Sequence, residues 1–208
     1  MSLPPPPSSP PPLATPPAAR PPPARPAWVW QARQPGLAAQ DQARPWLAAQ
    51  LGLNAEAVPL RRDPRQRPCL QAPCADHDCS WSHSGGGLLI ALGAGVQLGI
   101  DLEWRRPRPN AQALARRYFA AGETRWLASL APSQRESAFL RLWCAKEAVL
   151  KAHGHGLSFG LDRLRFGDVD GTLRLLECDP ALGRPQDWTL LELAPAPGYL
   201  GALAWRAA

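Results

Sequence analysis

The chain is short of lysine. Only two of its 23 basic residues, Lys146 and Lys151, are lysines, and they stand five positions apart; every other is arginine. It also lacks an apolar run long enough to cross a membrane, which argues against a helical membrane protein. Its five cysteines (Cys69, Cys74, Cys79, Cys144, Cys178) are odd in number and without C-x-x-C spacing. That excludes a simple disulfide framework and points to reduced thiols in a cytoplasmic protein. His77 and Cys79 lie near Cys74, yet the spacing fits no common zinc site. No long basic run occurs either, despite a formal charge of +6 and a pI of about 9.5. Scattered arginines suit a phosphate-bearing small molecule or an acidic protein as well as nucleic acid.

What is present divides in two. Residues 1–26 hold half of the 26 prolines and little that is apolar beyond Leu3 and Leu13. Such a segment cannot offset its ordering entropy, so residues 1–27 are expected to form a disordered, polyproline-like tail. It has neither the apolar centre of a signal peptide nor the amphipathic pattern of a transit peptide. With 45% hydrophobic residues, the remainder is long enough for one sizeable domain or two small halves, here expected over 28–104 and 105–208.

Ser133–Gly156 reads as a helix with both ends marked. Ser133 with Glu136 has capping-box spacing, and Gly154 after His153 is a stop. On its helical wheel Phe139, Leu142, Trp143, Val149 and Leu150 form one apolar arc, and Lys146 and Glu147 fall inside it. Charge on a buried face needs a partner or an ion, so this helix is expected to carry a site; chance placement on a surface helix is the alternative. The second anchor is Leu98–Trp104. Alternation puts Leu98, Ile100, Leu102 and Trp104 on one face and Gly99, Asp101 and Glu103 on the other. The two carboxylates then stand roughly 7 Å apart on an open face, able to converge on one cation, although a merely solvated polar face has the same pattern.

The rest falls around these anchors. Trp28–Trp30 reads as a strand, Ala38–Leu51 as a helix, and Arg61–Pro68 as an exposed loop. Leu88–Leu92 and Val96–Trp104 read as a hairpin about Gly93-Ala94-Gly95, preceded by a glycine-rich turn, Ser82–Gly87, of a kind that can hold phosphate. Helical pieces follow Asn110 and Glu123. After Gly156 come short apolar runs at 164–166, 172–177, 188–193 and 199–205, separated by Asp, Gly and Pro turns. The class is α+β.

Gly99-Ile100-Asp101-Leu102-Glu103, taken with the run Leu142–Leu157, resembles the paired signatures of the surfactin-type 4′-phosphopantetheinyl transferases. Trp81-Ser82-His83-Ser84 resembles the family's Ser-His-Ser segment, and Arg67-Pro68 its Gly-Lys-Pro. The similarity spans about residues 28–205. It implies a pseudo-twofold pair of similar α+β halves with the active site in the cleft between them. It implies transfer of phosphopantetheine from coenzyme A to a serine of an apo carrier protein of fatty-acid, polyketide or non-ribosomal peptide synthesis, by a monomer. By position, Asp101, Glu103 and Glu147 take the magnesium role, and Arg44, Arg67, His83, Lys146 and Lys151 match coenzyme A contacts. Glu147 is the first candidate for the proton acceptor, with Lys146 assisting catalysis. The first half is short between Arg33 and Arg44, where the family carries more helix and further basic residues. A non-catalytic anion or nucleic-acid binder would account for the pI but not for the carboxylates; another magnesium-dependent phosphodiester enzyme would account for both.

Overall fold

The computed structural model describes residues 24–208. The tail expected from composition lies outside the described residues up to position 23; beyond it, Pro26 is already buried and Ala27 opens the first strand. The first half contains β1 (Ala27–Ala32), α1 (Ala39–Leu51), β2 (Leu60–Arg62), β3 (Pro68–Leu70), β4 (His77–Ser84) and β5 (Gly87–Ala94). Grouped by sheet, β6 (Val96–Trp104), which the expected boundary at 104/105 left in the first half, goes with the second, together with α2 (Ala111–Tyr118), α3 (Ala121–Ser129), α4 (Pro132–His153), β7 (Leu164–Val169), β8 (Thr172–Cys178), β9 (Thr189–Leu193) and β10 (Tyr199–Ala207).

Apart from α2 and α3, the second series repeats the first. In each, the last strand takes the middle of an antiparallel sheet, flanked by the first strand and the next to last: β1-β5-β4 and β6-β10-β9. In each, the two strands after the long helix form a separate ladder, β2 with β3 and β7 with β8. The α+β class with two similar halves is thus built at the level of topology.

One pairing differs from expectation. β5 already has β1 on one edge and β4 on the other, so no edge remains for β6, and the hairpin about Gly93–Gly95 does not form. The chain instead crosses to the second sheet, where β6 pairs with β10 and Asp101 stands opposite Ala202. Along β4, side chains replace a backbone ladder. Leu98 N–H donates to Asp78 at 2.8 Å, Ile100 N–H to Ser80 Oγ at 3.2 Å and Trp104 N–H to Ser84 Oγ at 3.0 Å. The stretch expected as a glycine-rich turn is therefore mostly strand, with Gly85-Gly86 alone turning the chain from β4 into β5.

The inner faces of the sheets meet over Leu89, Ala91, Leu98, Ile100, Leu102 and Leu203. Helix α1 covers the outer face of the first sheet, with Leu47 against Leu88 and Ile90, and α4 covers that of the second. The capping box does not form: the N-cap of α4 is Ala131, and the Glu136 carboxylate accepts the Arg108 N–H at 3.1 Å. Pro132 at the first helical position sets the start, because its missing N–H needs no partner there. The stop is as expected, Gly154 being left-handed (φ 89°) with its N–H donated to Leu150 O at 3.0 Å. Among the described residues no helix is long and apolar enough to cross a membrane.

Candidate active site

Helix α4 can lie on the carboxylate face of β6 only because residue 99 is glycine. A Cβ there would stand 2.1 Å from Ala148 O and 2.4 Å from Ala152 N. With the helix this close, Glu147 and Lys151, one turn apart, face Asp101. Lys151 Nζ donates to Asp101 Oδ1 at 2.6 Å, to Ser82 Oγ at 2.9 Å and to Ile100 O at 3.3 Å. Ser82 Oγ donates to the same Asp101 oxygen at 2.9 Å. Glu103 accepts from Ser84 Oγ at 3.1 Å and from Arg108 Nη2.

The face expected to be open is covered, Asp101 being 5% exposed and Glu147 8%. Burial first, then the charge of Asp101, push the Glu147 carboxyl up to about 7 against the pull of Lys151. Glu103 is raised as well, by burial and Asp101, with Arg108 and Ser84 opposing. Burial alone would lower the Lys151 ammonium, but Asp101 and Glu147 outweigh it and hold it above its ordinary value. Three carboxylates thus face two cations, and the buried Asp101 Oδ2 has no hydrogen-bond partner.

Among the described residues no three Asp, Glu, His or Cys side chains already converge on one point. Lys151 and Arg108 sit on oxygens that a cation would take. The donor chemistry still fits a hard divalent ion such as magnesium: oxygen donors only, one unpartnered, where positive charge is short.

Beside the carboxylates the surface turns basic. His83, Ser82, Trp81, Arg62 and Lys151 line a cavity of about 550 Å³. Arg62, Trp81 and Lys151 also border a smaller one of about 230 Å³, with Arg65 and Arg67. The Arg62 guanidinium lies over the Trp81 ring at 5.1 Å. Burial, then the charges of Arg33 and Lys151, hold the His83 imidazole below its ordinary pKa, so it is neutral at pH 7.

Two expected residues are not brought here. Lys146 precedes Glu147 by one residue, about 100° around the helix, which turns it into the core of the second half. There it is fully buried against Glu123 at 2.7 Å and donates to Leu161 O at 2.8 Å and to Leu164 O. Arg44 donates to Ala55 O at 3.3 Å and Val58 O at 2.9 Å, closing the loop after α1. In both cases buried carbonyls or a carboxylate claim the cation. Arg67 borders the cleft, but its guanidinium is engaged by Asp78 and by backbone carbonyls. Ser82 and Ser84, which hold the carboxylates, and Arg62 and Arg108 were not anticipated in these roles. The available signal was Asp78, Ser80, Ser82 and Ser84 at every second position, a strand period in polar residues.

The 4′-phosphopantetheinyl transferase superfamily matches residues 97–196, which take in β6 from Gln97 onward and all of α4. The 4′-phosphopantetheinyl transferase HetI of Nostoc sp. is 33% identical over 163 residues, 77% of this chain and 66% of its own length. The putative 4′-phosphopantetheinyl transferase slr0495 of Synechocystis sp. is 32% identical over 184 residues, 84% of this chain and 73% of its own. The crystal structure of Thermotoga maritima holo-[acyl-carrier-protein] synthase aligns with a TM-score of 0.41 and 20% identity, over 53% of this chain and 62% of that one. Because an alignment of 184 residues has to run through both halves and through the strand and helix that form the carboxylate site, the chain belongs to the 4′-phosphopantetheinyl transferase superfamily.

Proposed function

We propose that this protein transfers the 4′-phosphopantetheine group of coenzyme A to a serine hydroxyl of an apo carrier protein, releasing adenosine 3′,5′-bisphosphate. The observation that carries the reading is the buried, unpartnered Asp101 Oδ2 among carboxylates beside a basic cleft. Asp101, Glu103 and Glu147 would hold magnesium, which when bound neutralises charge on the pyrophosphate. Lys151 would exchange the longest of its three bonds, that to Ile100 O at 3.3 Å, for the phosphate of the transferred group. His83, neutral and exposed at the cavity edge, meets a phosphate or ribose oxygen. Glu147, raised to about 7, takes the proton of the attacking serine as its oxygen bonds to phosphorus and the bond from phosphorus to the bisphosphate breaks. That both walls of the cleft come from one chain supports a monomer, and five free cysteines support a reducing cytoplasm. Carriers of fatty-acid, polyketide or non-ribosomal peptide synthesis are the substrates to try.

The test is to incubate the protein with coenzyme A, magnesium and apo carriers and to weigh the carriers. Magnesium-dependent gain of the phosphopantetheine mass is expected. No gain on any carrier, with salt-sensitive binding to single-stranded nucleic acid instead, would overturn the reading.

A further inference from the structure

Arg67 comes from the loop between β2 and β3 in the first half, yet two of its four partners lie on the two second-half elements that carry the candidate site. Its Nε donates to Lys151 O at 2.9 Å, and its Nη2 donates to Leu98 O at 3.1 Å and to Asp78. Its Nη1 donates to Pro68 O at 3.3 Å. Four of the five N–H groups of the guanidinium are thereby used, and the side chain is 18% exposed. Lys151 O belongs to the last turn of α4, whose carbonyls have no partner within the helix. Leu98 opens the run to Asp101, and its N–H is held by Asp78, which Arg67 also binds. The guanidinium itself is aimed from behind. Asp63 Oδ1 accepts the Arg67 N–H at 2.8 Å, and Gln66 takes a left-handed backbone (φ 67°) to turn the loop inward.

We propose that Arg67 is a positioning residue for the transfer: it ties the end of α4 to β6, so that the Lys151 ammonium is held on Asp101, and it does not itself grip coenzyme A. A phosphate approaching Arg67 would find one free N–H. A planar fork reaches Lys151 O, Leu98 O and Asp78 together, whereas a lysine ammonium at the same place would supply charge but not this geometry. The role rests on the transferase reading for its kinetic consequence only; its structural consequence, the placement of Lys151, can be read without turnover.

The test uses Arg67→Lys and Arg67→Gln, each alone and with Lys151→Ala, after melting curves of all variants. Arg67→Lys keeps the charge and is expected to lose about 100-fold in kcat, as misplacement of a reacting group by about 1 Å does, with the KM for coenzyme A little changed. In the Lys151→Ala background the same change should cost far less, because the group being positioned is gone. The second readout is acylation of lysine by an amine-reactive ester, followed by peptide mass spectrometry. Lys151 should label about tenfold faster in Arg67→Gln than in the wild type, in line with the loss of about 1.4 kcal/mol of protection, while buried Lys146 stays unlabelled as an internal control. If Arg67→Gln does not fold, Arg67→Lys is labelled instead, its added lysine being resolved by the mapping. Unchanged Lys151 labelling overturns the proposal, as does normal kcat in Arg67→Lys with a raised KM in Arg67→Gln that vanishes for coenzyme A lacking its 3′-phosphate. If the wild type modifies no carrier, the transferase reading fails, and the labelling still decides the role of Arg67.

Discussion

Replacing Lys146 by Met removes the ammonium and keeps most of the volume. Glu123, 1% exposed, would then be a buried carboxylate with no counter-charge, still accepting the N–H of Phe166 at 2.8 Å and of Ala120 at 3.0 Å. Leu161 O and Leu164 O would lose their donor. Breaking such a pair costs about 3–5 kcal/mol. At about 2–4 °C per kcal/mol for a chain of this size, the melting temperature should fall by about 6–20 °C at pH 8. The loss has a pH signature. Burial holds the Glu123 carboxyl above its ordinary 4.5 even with Lys146 opposing, and without Lys146 it rises further. A carboxyl whose folded pKa lies above its unfolded one contributes stability below the unfolded value and loses it as pH climbs through the folded value. The deficit should therefore be smaller near pH 5 than at pH 8. Adding Glu123→Gln should recover most of it, since the amide keeps an acceptor for the N–H groups and offers a donor to the freed carbonyls. Melting by circular dichroism from pH 5 to 8 reads both effects, and the carrier mass assay is run where both proteins are folded. Unchanged melting with lost turnover would put Lys146 in the cleft and refute the geometry argued here.

Gly99→Ala should destabilise by about 3 kcal/mol or more, because the obstructing atoms are helix backbone and cannot rotate away; a variant that melts like the wild type would refute the close approach of α4. Asp101→Asn should lose transfer and change melting little, and normal turnover in saturating magnesium would refute the cation assignment. In metal-free buffer Glu147→Gln should match the wild type near pH 5 and exceed it by up to about 3 kcal/mol at pH 8, the penalty of ionising a carboxyl raised from 4.5 to about 7. A gap between the two melting curves that does not widen with pH would refute that account.

The residues that announced themselves were those obeying a period. The apolar arc of α4 predicted a buried face that takes in Glu147, and the alternation of Leu98–Trp104 put Asp101 and Glu103 together on one face of β6, though α4 covers that face and Trp104, on the other, is exposed. The short apolar runs after Gly156 predicted β7 to β10 for the same reason. The hairpin failed because strand pairing is decided by which edges are free, and β1, far away in sequence, had taken the edge of β5 that local reading reserved for β6. Strand β4 stayed hidden because Asp78, Ser80, Ser82 and Ser84 point into a polar seam where strands are expected to bury apolar groups. Lys146 shows a further limit. Its place in the arc indicated burial, but α4 is buried on more than one side, and the wheel does not say which wall a side chain meets.

Each half closes its sheet with its last strand, and for the second half this sets the order of events during synthesis. Val96–Trp104, which carries two of the candidate carboxylates, gains its only backbone ladder among the described residues when Tyr199–Ala207 arrives, about a hundred residues later. Until then that strand has β4 on one side, joined through side chains, and a bare edge on the other. An emerging chain therefore holds a complete first sheet and an unfinished β6, an edge open to wrong partners for several seconds at ordinary rates of translation of about 5–20 residues per second. The candidate site is then among the last parts of the molecule to be made, and a chain released before β10 would carry every candidate site residue without a strand to hold them.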